Sequence, residues 1–412
     1  MTRPKNLVSG ISSSERPPKP KATNPIEAAV GSWLKTLPVG LLESIELAAA
    51  QLLSITPKRW VVYPPMVLLP AGSLGPEWAF LGLENMSPHV ETLWKLMLHH
   101  IGKKEGKAHL THLAVNSGIP LQKTSAHRPE KSPNGEEEID AENILRTPSG
   151  LIMLYGHFGP RLSPDQEPTE TDFADAFWVS TKQNGIIQIW APRYTMFSRG
   201  NVKEKARLLD FHKSGRSSET RRLSRACLES ASAIDLYAGI GYFVFSYVKM
   251  GMKRVVGWEL NPWSVEGLRR GAVANGWSVT IVKDGTDVDL RQDQIVVFLE
   301  DNAKAAERLQ RPMASLGGLG EVKHVNCGLL PTSEMTWKTT LQIMKGDGWL
   351  HLHENVGVSN VPARSSEVEK IFEAWLRAAQ DARVAEVEHV ELVKTFAPGV
   401  WHCVFDVYVR RP

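Results

Sequence analysis

From Ala231 to the C-terminus, short apolar runs alternate with stretches of helical spacing, and this pattern constrains the chain more than any other feature. The runs cover residues 233–237, 254–258, 279–283, 295–300, 322–327 and 348–353, followed by 384–394 and 401–409. Parallel strands need long crossovers, usually helical, and the intervening segments supply them. Only the short turn 396–400 separates the last two runs, so these pair antiparallel. The pattern predicts a mostly parallel sheet that ends in an antiparallel hairpin.

The first two runs and the segment between them make a βαβ unit, residues 233–270, which opens AIDLYAGIGYF. Asp235 lies near the end of the first strand, Gly239 and Gly241 turn the chain, and Glu259 stands at the tip of the second strand before Asn261 and Pro262. Glycines allow a tight turn and close approach to a ligand, and the helix that follows has free N–H groups at its start. An acid about twenty residues past the first glycine suits two hydrogen bonds from a ribose diol. The unit reads as a nucleoside grip or, alternatively, as a structural βαβ with an incidental acid. A dinucleotide fingerprint would need a third glycine where Val244 stands. The form D-x-x-A-G-x-G is nearer to that of S-adenosylmethionine enzymes, which have no pyrophosphate to cradle. The expected fold class is α/β, with a class I methyltransferase-like (Rossmann-type) C-terminal domain and an α+β N-terminal accessory region.

The rest of the chain is read around that unit. Residues 1–24 are rich in Pro, Ser, Lys and Arg and bury too little to offset ordering entropy, so a disordered leader is expected. An accessory domain then spans 25–175. It has an apolar helical stripe over 26–55, a proline-cut edge strand over 59–71, a helix over 78–101, a strand near 109–115 and a mobile acidic loop around Glu136–Glu142. Residues 176–225 carry a hairpin about Asn184-Gly185 and a basic connecting segment, and the cofactor-binding catalytic domain runs over 226–412. Three isolated cysteines, Cys227, Cys327 and Cys403, suggest no disulfide framework and fit a reducing compartment. With no apolar leader and no long apolar run, a cytoplasmic protein away from membranes is expected.

Between Arg199 and Arg225 nine basic residues face three acids, an excess of six where the whole chain carries only +3. This is either a solvated helix face or a phosphate-binding surface that feeds the nucleoside site. Glu300, Asp301 and Asn302 end another strand, where an acid can meet an adenine amino group or cap a helix. In GLLPTSEMTW, Ser333 suits a helix cap, and Thr332 and Glu334 can face substrate. His351 and His353 share a strand face, but no third ligand stands at a diagnostic spacing, so no metal is expected.

In this order, MFSRGNVKEK, DLYAGIGYF, WELNP, EDN, GLLP-T-S-E and HLHENV resemble the tRNA wybutosine-synthesizing protein 2 family, as do the closing APGVWHCVFDV and, more weakly, VVYPPMVLLPAGS. The resemblance implies transfer of the 3-amino-3-carboxypropyl group of S-adenosylmethionine to C7 of 4-demethylwyosine at position 37 of tRNA(Phe). It places cofactor contacts on Ser198, Lys205, Glu259, Asp301 and Asn302, beside the Asp235, Gly239 and Gly241 read from the residues. The sister tRNA guanine-N1 methyltransferases have Asn-x-Pro where this chain has Leu329, Leu330 and Pro331. The implied partner is the tRNA(Phe) anticodon stem-loop. Arg193, Arg199, Arg207, Arg221, Arg222 and Arg225 are the candidates for tRNA contact, and Glu334 and Arg193 are candidates for a direct part in the chemistry. Methyl transfer to guanine N1 at the same tRNA position and a catalytically silent tRNA-binding module are the competing readings. The intact Asp235, Gly239, Gly241 and Glu259 set weighs against the silent module.

Overall fold

The computed structural model describes residues 23–44, 48–116, 145, 151–163, 166–213, 221–283, 293–310 and 319–412. The expected leader up to residue 22, the acidic loop and Arg216 lie outside the described residues. The chain forms two compact units, one from residues up to Arg59 with Ser73–Ala108, the other from Trp60–Gly72 with His109 onward.

In the first unit the apolar stripe over 26–55 is not one helix. It is divided into Pro25–Leu34, Leu41–Ser44 and Ala49–Ser54, and Pro38 and the left-handed Gly40 separate the first two. Asn24 caps the first of these by accepting from the Ile26 N–H. Ile26, Ala29, Val30 and Trp33 are buried, and the Trp33 indole donates to the His89 carbonyl of the long helix Ser87–Glu105.

The second unit opens with a sheet ordered β1 (Val61–Tyr63), β2 (Met66–Leu69), β3 (His112–Val115), β4 (Ile152–Tyr155). Residues 59–71 are thus a hairpin rather than one edge strand. Pro64 and Pro65, which have no N–H to donate, fall in the turn, β1 takes the edge and β2 the interior. The ribbon β5 (Val179–Gln183) and β6 (Ile186–Trp190) turns at Asn184 and Gly185, both at positive φ, as a two-residue hairpin turn requires.

The large sheet contains β7 (Ser232–Asp235), β8 (Arg254–Trp258), β9 (Val279–Lys283), β10 (Ile295–Leu299), β11 (Val322–Cys327), β12 (Gly348–Gly357), β13 (Val384–Ala397) and β14 (Val400–Arg410). Their order is β13-β14-β12-β11-β7-β8-β10-β9, and β14 alone runs opposite to the other seven. Successive side chains of a strand face opposite ways. Ile234, Val256, Trp258, Val296 and Phe298 therefore enter one core, while Ala233, Val255, Ile295 and Val297 enter the other. The chain leaves β7 toward β8 on one side and reaches β11 on the other, so the carboxyl end of β7 is a topological switch point.

Two polar features fix the segments that precede this sheet. The ribbon lies directly on the helix Pro262–Ala274. A Cβ at Gly267 would come within 2.7 Å of the Ile189 carbonyl oxygen, and two turns further the Asn275 amide accepts from the Ile187 N–H at 2.9 Å and donates to the Ile187 carbonyl at 2.7 Å. Helix Val202–Leu209 is held by charge: the buried Arg207 guanidinium donates to both oxygens of Glu204 and to both oxygens of Asp406 on β14. Asp406 also accepts from His351 Nδ1 at 2.7 Å, and the chain continues from His351 to His324 and from His324 to His212, each step at 2.9 Å.

Candidate active site

The site forms at the carboxyl ends of β7, β8, β10 and β11. Gly239 and Gly241 take left-handed backbone angles that a side chain would strain, and the turn they make presents the Gly239 N–H to Glu259 Oε2 at 2.8 Å. The other oxygen of Glu259 accepts from the Asn261 N–H at 2.8 Å. Asn261 caps the following helix through Trp263, with Pro262 at its first position. One half-buried carboxylate thus links both strand-to-helix turns of the βαβ unit, and its remaining lone pairs can accept from a diol. Burial raises its pKa, but the N–H donors oppose the shift.

Asp235 lies beneath this turn, fully buried. Asn326 on β11 donates to Oδ1 at 3.0 Å and the Tyr237 N–H donates to the same oxygen at 3.1 Å, while Oδ2 has no donor among the described residues. Burial pushes the Asp235 carboxyl up to about 6. Asn326 in turn accepts from His353 Nε2 at 3.2 Å, and His353 Nδ1 meets His402 Nε2 at 2.9 Å. His351 and His353 therefore belong to two separate hydrogen-bond chains. Among the described residues no three His, Cys, Asp or Glu are grouped to hold a metal.

Asp301 and Asn302 stand at the end of β10. Asp301 is exposed and caps its own short helix through the Ala303 N–H, and Asn302 Nδ2 donates to the Leu236 carbonyl at 2.7 Å. Glu300 is different. It is buried, accepts two hydrogen bonds from Arg308 at 2.9 and 2.7 Å and one from the Trp258 indole, and so serves the core rather than a ligand.

On the other side of the glycine turn, the Tyr242 hydroxyl accepts from the Ser198 N–H at 2.9 Å and donates to the Met196 carbonyl at 2.6 Å. Ser198 Oγ donates to Asn201 and accepts from Lys394 Nζ at 3.3 Å. Lys205 is 2 % exposed. Its ammonium donates to Gln183 at 2.6 Å and Gln188 at 2.7 Å and lies 5.1 Å from the Phe197 ring centre, with no carboxylate partner among the described residues. Burial pulls its pKa down to about 8. A buried ammonium held only by neutral acceptors is suited to receive an anion.

Three expectations change at this level. Arg207, expected on a tRNA surface, is withdrawn into the ion pairs with Glu204 and Asp406. Ser333 does not cap its helix: its hydroxyl donates to the His353 carbonyl at 3.0 Å and accepts from the Trp337 indole at 2.9 Å. Arg221 pairs with Glu386 and stacks over Tyr408, and Arg225 pairs with Glu229, so part of the basic segment is locally neutralised. Arg199 is exposed and Arg222 half-buried. Arg193 is half-buried and donates to the Phe158 carbonyl at 3.3 Å. Glu334 accepts from Arg364 at 2.8 Å. Gln183, Gln188, Tyr242, Asn326 and Lys394 were not expected from sequence. Only the glutamines had left a signal, since the hairpin register sets both on one face of the ribbon.

No family model matches the chain. It is 39% identical over 356 residues to the tRNA wybutosine-synthesizing protein 2 of Schizosaccharomyces pombe, covering 85% of this chain and 72% of that protein. To the protein of the same name in Saccharomyces cerevisiae it is 31% identical over 404 residues, covering 89% and 77%. Among solved structures, P. horikoshii TYW2 in complex with MeSAdo superposes with a TM-score of 0.54 at 18% identity, over 94% of this chain and all of that one, a likeness of fold. Trm5b from Pyrococcus abyssi superposes with a TM-score of 0.50 at 14% identity, over 88% and 79%. With two relatives above 30% identity matched over most of their length, the chain belongs to the tRNA wybutosine-synthesizing protein 2 family.

Proposed function

We propose that the chain transfers the 3-amino-3-carboxypropyl group of S-adenosylmethionine to C7 of 4-demethylwyosine at position 37 of tRNA(Phe), within its anticodon stem-loop. The observation that carries this reading furthest is Lys205, a buried cation without a carboxylate partner, across the glycine turn from Glu259. On this reading Glu259 holds the ribose diol, Asp301 and Asn302 lie on the adenine side, and Asp235, Gly239 and Gly241 shape the turn. Lys205 with Ser198 takes the methionine carboxylate. Three carbons on the sulfonium are activated, and displacement occurs at the one held in line with the nucleophile. The C–S bond to the aminocarboxypropyl carbon breaks, a C–C bond to C7 forms, methylthioadenosine leaves and the C7 proton is released.

Glu334 is a carboxylate at the same sheet edge and can accept that proton. Arg193 cannot, because a guanidinium stays protonated. Its suitable role is with Arg199 and Arg222 on tRNA phosphates, whereas Arg221 and Arg225 already pair with Glu386 and Glu229. On this reading residues 226–412 act as the catalytic domain, 176–225 connects to it and lends it Ser198 and Lys205, and 25–175 is an accessory region. Among the described residues no helix is long and apolar enough to cross a membrane, and the three free cysteines support a cytoplasmic setting.

Two measurements test the proposal. Purified protein with precursor tRNA is expected to release methylthioadenosine and to add the aminocarboxypropyl mass to the base. Release of S-adenosylhomocysteine would assign methyl transfer instead. The second follows Lys205. A protonated ammonium binds a carboxylate, so affinity for S-adenosylhomocysteine is expected to fall as pH rises through about 8, whereas methylthioadenosine, which has no carboxylate, keeps its affinity. Parallel pH curves in calorimetry would remove Lys205 from carboxylate binding.

A further inference from the structure

Of the chain's 13 Trp, 7 Tyr and 12 Phe, all within the described residues, Phe396 alone is exposed, at 60%. It belongs to none of the described core clusters and has no ring partner among the described residues. Its place in the sheet accounts for this. Thr395 pairs with Trp401 and Ala397 pairs with Val400, so Phe396 is the extra residue of a bulge near the end of β13. A bulge leaves one residue unpaired and re-aims its side chain.

That end of β13 lies at the same edge as the candidate site. Gly357, the last residue of β12, pairs with Val400, and the Val358 N–H donates to the Gly399 carbonyl at 2.9 Å, so the hairpin tip sits beside the carboxyl end of a parallel strand. Two residues before Phe396, Lys394 donates to Ser198 Oγ at 3.3 Å. Two residues of strand span about 7 Å. The same strand end therefore carries the exposed ring and, two residues earlier, the lysine that reaches Ser198 of the proposed methionine-binding group.

A base that reacts at a ring carbon has to leave its stack and present its edge to the donor, and proteins hold such bases against aromatic faces. We infer that Phe396 is the platform on which the fused-ring base stacks while its reacting carbon faces the transferred group, an assignment that rests on the nucleobase-modifying reading above. Phe396 is a positioning residue in this role. It touches the base, and it contributes little to folding because its ring stays in water.

The test compares wild type with Phe396→Ala and Phe396→Trp on precursor tRNA, following whichever sulfur by-product the wild type releases. Loss of one base-stacking contact is expected to lower kcat/KM by about tenfold to a hundredfold in the alanine variant, and tryptophan should restore most of it. The thermal midpoint and S-adenosylmethionine affinity are expected to match wild type, which separates stacking from a fold defect. An alanine variant within twofold of wild type would overturn the assignment and leave the ring to a partner protein. A wrong reading of the transferred group would show in the wild-type by-product, whereas a wrong stacking assignment would show in the ratio of variant to wild type.

Discussion

Replacing Arg207 with alanine is expected to cost about 3–5 kcal/mol of folding stability at neutral pH, because it leaves two buried carboxylates, Glu204 and Asp406, without their cation. Against a typical total of about 5–15 kcal/mol the variant stands near the limit of folding. The effect has a pH signature. Burial opposes ionisation of Asp406, but Arg207 and His351 override it and hold its pKa well below the usual carboxylate range. A carboxylate with a depressed folded pKa stabilises above its unfolded pKa of about 3.9 and loses that contribution as pH falls toward the folded value. The buried imidazoles add to this: burial pulls His324 and His353 well down and His212 and His402 to about 4, so an unfolded chain takes up more protons below about 6.5. Wild type should therefore lose stability from about pH 6.5 downward, more steeply below about 4. The gap between wild type and Arg207→Ala should narrow there, because the ion pair no longer contributes. Urea denaturation at several pH values reads both quantities, and a loss under about 1 kcal/mol at pH 7 would mean that the network relaxes around the missing guanidinium.

Glu259→Ala is expected to weaken S-adenosylmethionine binding by about 30-fold to 1000-fold. Two hydrogen bonds from a ribose to a charged acceptor are at stake, together worth roughly 2–4 kcal/mol after allowance for water that takes their place. The carboxylate also holds the Gly239 N–H and the Asn261 N–H, so its removal loosens the turn that shapes the pocket. Calorimetry with S-adenosylhomocysteine is the direct measurement. An affinity within fivefold of wild type would place the ribose elsewhere.

The alternation of apolar runs was enough to place the strands along the chain and to expect a mostly parallel sheet ending in an antiparallel hairpin, because burial on both faces makes each parallel strand a continuous apolar stretch. The Asn184-Gly185 turn was legible for a local reason, the positive φ at both positions. Arg207 was not. Its partner Asp406 lies 199 residues away, and a charge count along 199–225 cannot tell a cation turned to solvent from one turned inward. The same separation hid the Asn326–Asp235 bond, 91 residues apart. Ser333 fitted a cap pattern, yet its hydroxyl accepts from the Trp337 indole one turn on and donates to the His353 carbonyl, a partner that exists only once β12 is in place. Pro64 and Pro65 marked a break in a strand but not that the break was a turn between two.

The seating of the ribbon on the helix Pro262–Ala274 has a consequence for which carbon reacts. Asn275 clamps Ile187 in both directions and Gly267 lets the ribbon backbone approach the helix, while the same helix is capped by Asn261, two residues after Glu259. The ribbon supplies Gln183 and Gln188, which hold the Lys205 ammonium. The acceptor proposed for the ribose and the cation proposed for the carboxylate are therefore both referred to one rigid rod, the first at its start and the second through a ribbon seated along its second half. That rod serves as a gauge: by fixing the span from sugar to carboxylate, it fixes the bend of the chain between them, and with it the carbon that the sulfonium turns toward the base.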